Sequence, residues 1–475
     1  MTEAVEYDVV VLGGGPAGEN IVDRTRAAGL STALVESELV GGECSYWACI
    51  PSKALLRPAL ARADARRVPG LAGSVAGPLD AEAVFAHRDY WTGDWKDEGQ
   101  IDWLDSIDAH VYRGHGRLYG IRKVAVTSPE GEHHVLSARH AVVVATGTRA
   151  VVPDLPGIAG ARPWTSREAT SARQAPGRLL VVGGSVVAAE MATAWQALGS
   201  QVTVLVRGSG LLPRMEPFAG ELVAASLCEA GAVVRTGVAV EAVVRDGPTG
   251  PVTVVLEGGE ALEGDELLMA TGRAPRTEDI GLDTVGLTPG DWIGVDESCR
   301  VTGYDWLYAV GDVNHRALLT HQGKYQARIA GAAIAARAKG DSPDTARWGA
   351  HAATADTAAL PQAVFTDPEA AAVGLTLAEA ERSGRRVRAV DHDLGKVSGA
   401  GLYADGYRGR ARMVVDLDRE VLLGATFVGP GAAELLHAAT IAVAGEVPID
   451  RLWHAVPAFP TISEVWLRLL EAYRG

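Results

Sequence analysis

Cysteine is scarce in this chain, with four residues among 475. That excludes a scaffold stapled by many bridges, the usual form of small secreted domains. Long apolar runs are missing too, and no stretch reaches the ~18 residues of a membrane-spanning helix. The opening MTEAVEYDVVVLGGG has no basic segment ahead of its short apolar run, so it reads as a β-strand and not as a signal peptide. Positive charge is in deficit: a net −15 argues against a nucleic-acid or anionic-membrane surface. These absences predict a cytoplasmic protein with neither kind of partner. In that compartment two close cysteines point to catalysis or metal binding more than to a staple.

What is present is the material for a large core. Hydrophobic residues make up 47% and charged residues 22%, ordinary values for a globular protein. The length predicts about three domains. Glycine is plentiful, at 56 residues, and several of its clusters carry chemistry.

Residues 7–36 read as strand, glycine turn, helix, strand, and residues 178–207 repeat that pattern about 170 positions later. Two such units predict two dinucleotide-binding domains in an α/β chain. The first turn is Gly13-x-Gly15-x-x-Gly18. Glycines serve there for the tight turn, for approach to a pyrophosphate and for helix–strand packing. Glu36, eighteen residues after Gly18, ends the second strand where a ribose hydroxyl would be bound. The second turn, Gly183-Gly184-Ser185-Val186-Val187-Ala188, is weaker, with Ser185 and Ala188 in glycine places. No acid ends its following strand. Arg207 stands there instead, with Arg214 seven residues on. A guanidinium suits a ribose 2′-phosphate, so the pattern predicts NADPH over NADH, unless Arg207 is a solvated surface arginine. Each unit is followed by a strand ending Ala-Thr-Gly, at Gly147 and Gly272. After residue 360, β-like and helical segments alternate as in an α+β domain.

Cys44 and Cys49 lie five positions apart in GGECSYWACIPSKALL. A zinc site wants four ligands, and no second pair or Cys/His cluster is evident to complete one, so no metal is expected. Behind a dinucleotide-binding unit the pair would lie beside a flavin. A helix expected from about Pro51 would acidify a thiol at its N-terminus. The remaining alternative is two inert buried thiols. Cys228 and Cys299 stand alone and read as ordinary structural residues.

Together these segments resemble the class I pyridine nucleotide–disulfide oxidoreductases, which include dihydrolipoamide dehydrogenase, glutathione reductase and mercuric reductase. The signatures are the Gly13 turn, GGECSYWACIPSKALL, ATGTRAVVPDLPG, ATGRAPRTEDIGL, YAVGDV and FTDPEAAAVGLTLAEAE. The resemblance covers nearly the whole chain. It implies a homodimer built from a FAD-binding domain (1–152), an NAD(P)-binding domain (153–267), a central domain completing the FAD site (268–350) and an interface domain (351–475). It implies that hydride passes from NADPH through FAD to a Cys44–Cys49 disulfide and on to a small disulfide. Cys49 would face the flavin and Cys44 would attack substrate. Lys53 would sit near the flavin, paired with Glu190. Gly42 and Asp312 would belong to the FAD site, and Gly116 would lie near its adenine end.

Two departures bear on the substrate. The segment between the cysteines is Ser45-Tyr46-Trp47-Ala48, where the family carries Leu/Val-Asn-Val-Gly. Its aromatics either narrow the substrate mouth or only pack differently. Disulfide-reducing members also end in His-Pro-Thr-x-x-Glu, whose histidine acts across the dimer. Here Phe459 holds the base position, Pro457 stands two residues earlier, Glu464 remains, and His454 lies five residues upstream. Mercuric reductases lack that histidine but carry a C-terminal cysteine pair, whereas this chain closes LLEAYRG. The expected substrate is therefore a small disulfide whose leaving thiolate is already stable. A quinone or other acceptor reductase working directly from FAD, and a flavoprotein redox sensor of weak activity, are the competing readings.

Overall fold

The run Tyr7–Leu12 is apolar at nearly every position, and such a strand must be covered on both faces. In the computed structural model, which describes residues 4–475, Val9 to Leu12 are all buried. Their strand, Val5–Leu12, is central in a sheet ordered His110–Arg113, Thr32–Glu36, Val5–Leu12, His133–Val144, Lys123–Thr127, His115–Leu118. The first three junctions are parallel, with Val9 opposite Thr32 and Leu12 opposite Val144. Lys123–Thr127 and His115–Leu118 continue the sheet antiparallel. Leu307–Ala309 pairs in parallel with His133–Val144.

Contacts group the chain into two units. The first comprises residues 1–50, 89–150 and 273–357 and contains the sheet above. Its helices Pro16–Ala27 and Thr320–Ala338 pack through glycines. A Cβ on Gly331 would stand 2.6 Å from Cβ of Arg24, and one on Gly323 would stand 3.5 Å from Cβ of Ala17.

The second unit comprises residues 51–88, 151–272 and 358–475. It holds a parallel sheet ordered Val233–Thr236, Gln201–Val206, Arg178–Val182, Glu266–Met269. A five-stranded antiparallel sheet follows, ordered Pro361–Val364, Glu369–Gly374, Val421–Gly429, Arg410–Asp416, Val387–Asp393. Helices Leu436–Ala444 and Val465–Arg474 accompany it. Its largest core side chain is Trp195, with the rings of Phe85 and Trp164 at 6.0 and 5.6 Å. Of the lone cysteines, Cys299 is buried in the first unit and Cys228 is exposed on the second.

Candidate active site

Backbone geometry builds the first nucleotide turn. Gly13 has φ +101°, and a Cβ there would stand 2.5 Å from the carbonyl oxygen of Ala145. A Cβ on Gly18 would fall 1.9 Å from the oxygen of Gly13. Only glycine permits such approaches. In front of Gly15, by contrast, a Cβ would meet no atom within 4 Å. Gly15 is the N-cap of Pro16–Ala27, so that open space faces a helix N-terminus, where a pyrophosphate is favoured.

The other residues assigned to this site line up around the turn. Glu36 Oε2 accepts from the Gly14 amide at 2.6 Å, and its Oε1 accepts from the Glu38 amide at 2.7 Å. A Cβ on Gly42 would reach within 2.9 Å of Cα of Gly15, and one on Gly116 would strike Leu12 and Val35. Gly147, at φ +69°, faces open space. Asp312 accepts from Thr148 Oγ1 at 2.7 Å and lies 3.9 Å from Arg273 Nε. Burial pushes its carboxyl above the ordinary range.

Cys44 lies in a short helix, Gly42–Tyr46, and Cys49 opens the helix Cys49–Arg66. That helix begins two residues earlier than the sequence suggests, which puts the Cys49 thiol itself at the N-terminus. Both cysteines are half-buried thiols. The hydrogen bond to Cys49, and then burial, push the Cys44 thiol up in pKa, while Thr320 and Lys324 pull it down. Thr320 Oγ1 stands 3.2 Å from Cys49 Sγ. Tyr46 is 1% exposed and donates to the carbonyls of Val40 (3.0 Å) and Lys96 (3.2 Å). Tyr46 therefore belongs to the core and does not narrow the substrate mouth. Trp47 is half-buried, its ring 5.6 Å from that of Tyr46.

In the second unit, Lys53 Nζ donates to Glu190 Oε2 at 2.7 Å. Glu190 is 3% exposed, and its Oε1 accepts from the Phe365 amide at 2.9 Å. The Lys53 ammonium also lies 5.2 Å from the Phe365 ring centroid. The buried carboxylate is thus satisfied on both oxygens.

The second nucleotide turn repeats the geometry of the first with one substitution. Gly183 has φ +131°, and a Cβ there would stand 2.3 Å from the oxygen of Ala270. Ser185 has φ −75°, which any residue adopts, and its hydroxyl accepts from the Ala188 amide at 3.4 Å while donating to the Ala270 carbonyl at 3.0 Å. Ala188 is fully buried, and Gly272, at φ +142°, faces open space. The serine therefore caps the helix Val186–Ala197 instead of weakening the turn. S185A is expected to lower the stability of this unit by about 1 kcal/mol and S185G by only a few tenths. Urea midpoints of the two variants check the order.

In the C-terminal segment, Phe459 is 73% and Val456 84% exposed, and His454 is exposed as well. Trp453, Pro457, Phe459 and Glu464 contribute to the lining of a cavity of about 140 Å³. Glu464 is buried. Its Oε1 meets Arg468 Nη2 at 2.5 Å, and its Oε2 has no hydrogen-bond partner. Among the described residues, no histidine reaches that oxygen.

Comparison with known proteins fits these elements. Residues 7–338 match the model of the pyridine nucleotide-disulphide oxidoreductases, and residues 360–469 match the dimerisation domain of that family. The chain belongs to the pyridine nucleotide–disulfide oxidoreductase family. The dihydrolipoyl dehydrogenase of Chlorobaculum tepidum is 32% identical, over 98% of this chain and 96% of the relative. The mercuric reductase of Acidithiobacillus ferrooxidans is also 32% identical, over 97% and 81% respectively. Among solved structures, LpdA of Mycobacterium tuberculosis superposes with a TM-score of 0.82 at 25% identity, covering 98% of this chain and 99% of that one. The flavoprotein disulfide reductase RclA of Escherichia coli, at 23% identity and a TM-score of 0.82, shares the fold.

As a member of this family the protein is an oxidoreductase acting on sulfur groups, with FAD as its cofactor and a domain built for homodimerisation. The first unit fits the flavin nucleotide: open space at Gly15 and Gly147, a helix N-terminus, and the carboxylates of Glu36 and Asp312. Thr320, Lys324 and Phe365 escaped the sequence reading. No spacing motif marks them, because each reaches its partners through tertiary packing.

Proposed function

We propose that the protein is an NADPH-preferring disulfide reductase whose redox disulfide is Cys44–Cys49 and whose substrate is a small disulfide with a stable leaving thiolate. The observation that carries the substrate class is Phe459, an exposed ring where disulfide-reducing relatives are expected to hold a base.

FAD, when bound, supplies transfer of a hydride equivalent from the nicotinamide to the disulfide. The chain's own residues handle protons and sulfur. In the dithiol, the Cys44 thiol is hydrogen-bonded to Cys49 Sγ, and Thr320 Oγ1 stands 3.2 Å from that same sulfur. Once Cys44 has released its proton to solvent, its Sγ attacks one sulfur of the substrate. A mixed disulfide forms and the first thiolate departs. Cys49 Sγ then attacks Cys44 Sγ, closing the disulfide and expelling the second thiolate. A general acid contributes typically about 10²–10⁴-fold to such a step. The ring of Phe459 has no proton to give, so the leaving thiolate must be stable by itself. With NADPH and a panel of disulfides, rates are expected to rise steeply as leaving-thiol pKa falls. A flat dependence rejects the substrate class.

The NADPH preference rests on Arg207, which follows the strand Gln201–Val206 and is exposed, as is Arg214. An exposed guanidinium there can pair bidentately with a 2′-phosphate. R207E is expected to lower kcat/KM for NADPH by about 10²-fold and to leave NADH within about threefold. Equal losses with both nucleotides overturn the assignment.

A further inference from the structure

The helix Thr320–Ala338 buries two glutamines, Gln322 and Gln326, that no step assigned so far uses. Four residues apart, they share one face of the helix. Both donate to one carboxylate. Gln322 Nε2 lies 2.9 Å from Asp356 Oδ1, and Gln326 Nε2 lies 3.0 Å from Asp356 Oδ2. Arg316 Nε, 3.1 Å from Oδ2, supplies the opposite charge, and its Nη2 also donates to Glu297 at 3.0 Å. The Asp356 side chain is closed to solvent, so these three groups stand where water would otherwise have to.

The Gln326 amide has one permitted orientation. Its Oε1 accepts from the Gly311 amide and from Asn314 Nδ2, each at 2.8 Å. Asn314 is itself fixed, because Nδ2 also donates to the Ala309 carbonyl and Oδ1 accepts from the Arg316 amide. A flipped Gln326 would set N–H against two donors, so its Nε2 must face Asp356. Gly311 is confined as well. It has φ +78°, a Cβ on it would stand 3.1 Å from Cβ of Ala17, and one on Gly323 would stand 3.2 Å from its Cα. Asp312, assigned above to the FAD site, follows it directly. At the start of the helix, Gln322 lies two residues beyond Thr320, whose Oγ1 stands 3.2 Å from Cys49 Sγ.

We propose that Asp356 is the positioning residue of the redox centre: through Gln326 it holds the Gly311 amide, and with it Asp312, and through Gln322 it holds the helix turn that brings Thr320 to Cys49. This rests on Asp312 belonging to the FAD site and on Cys49 as the flavin-facing thiol. Alanine at 356 would leave both glutamine amides buried without an acceptor, and each arm would drift toward other partners. Asparagine would keep one accepting oxygen for Gln326 and Arg316. Its new N–H would face Gln322, whose amide can turn to accept it because no other hydrogen bond fixes that amide. The two substitutions therefore separate loss of the hydrogen bonds from loss of the charge. Glu216 supplies a control for plain loss of a buried carboxylate. It is 2% exposed and accepts from Arg412 at 2.9 Å and from the Leu377 amide at 2.7 Å, in the second unit.

The test reads both arms apart from turnover. FAD release from the diluted holoenzyme is followed by flavin fluorescence. Alkylation of Cys49 by iodoacetamide, in a FAD-loaded C44S background, is followed by mass spectrometry, which separates Cys49 from exposed Cys228. D356A is expected to weaken FAD binding roughly tenfold and to change the Cys49 rate at least about threefold, in the same direction as T320V. In T320V its effect on that rate should shrink to near unity. D356N should restore most of both. E216A should lower the urea midpoint yet leave both readouts within about twofold. Where D356A does not fold, the arms are read singly: Q326M should weaken FAD binding, and Q322M should change the Cys49 rate alone. A D356A protein that loses stability with both readouts unmoved, or a D356N protein as impaired as D356A, overturns the inference, as do unmoved readouts in Q326M and Q322M. The Cys49 readout needs no role for Asp312, and C44S turnover judges the redox pair, so failure of either reading is told apart from failure of this one.

Discussion

The C44S variant is expected to lose NADPH-dependent disulfide turnover by about 10³-fold or more, because the attacking sulfur is gone and a serine hydroxyl at neutral pH does not replace it. The same protein should still oxidise NADPH with a one-electron dye at a rate within about threefold of the parent, since dye reduction requires no attacking thiol. This contrast is informative because Lys53, Glu190 and Phe365 form a satisfied cluster in a separate unit from the thiol. The hydroxyl that C44S introduces also stays small enough for the half-buried site. Full physiological turnover in C44S would place the electron exit at FAD and make the protein an acceptor reductase. Absence of NADPH oxidation in the parent itself would favour a redox sensor.

The second large effect is a gain. F459H is expected to raise turnover of ordinary alkyl disulfides by about 10²-fold, the low end of what general acid–base catalysis contributes. The setting for an imidazole is already built. Glu464 Oε2 is buried without a partner, its other oxygen is held by Arg468, and Glu464 and Phe459 both line a cavity of about 140 Å³. An imidazole N–H donated to that oxygen would fix the ring and its tautomer, as a carboxylate does for a catalytic histidine. The pH profile should gain a limb near 6.5, the ordinary histidine pKa. The steep dependence on leaving-thiol pKa should flatten, since the new acid protonates poor leaving groups best. Adding E464Q to F459H should remove most of the gain. A gain that survives E464Q would show that Glu464 does not orient the ring.

Much of this site was legible along the chain because its parts are local. A strand, a glycine turn and a helix follow one another within thirty residues, and the glycines at 13 and 18 are required by backbone distances that the motif itself creates. Cys44, Cys49 and Lys53 share one segment, so their order needs no fold to be read. Ser185 was readable only in part: its negative φ could be anticipated, but its service as a helix cap depends on where the Ala188 amide and the Ala270 carbonyl stand. Tyr46 shows the limit from the other side. An aromatic in a redox loop can line the mouth or fill the core, and the carbonyls of Val40 and Lys96 settle it in the core.

By itself, the sequence determined the family, the two nucleotide turns, the cysteine pair and the missing base, since each is a matter of residue type at a fixed spacing. Only the tertiary structure decided what surrounds the sulfurs. Thr320 meets Cys49 across 271 positions of chain, because the helices that carry Ala17 and Gly323 pack closely through glycine. The orphaned oxygen of Glu464 likewise emerges only once burial removes water as a partner. Spacing records chemistry within one stretch of chain. Hydrogen bonding and charge depend on distance in space, which packing alone assigns.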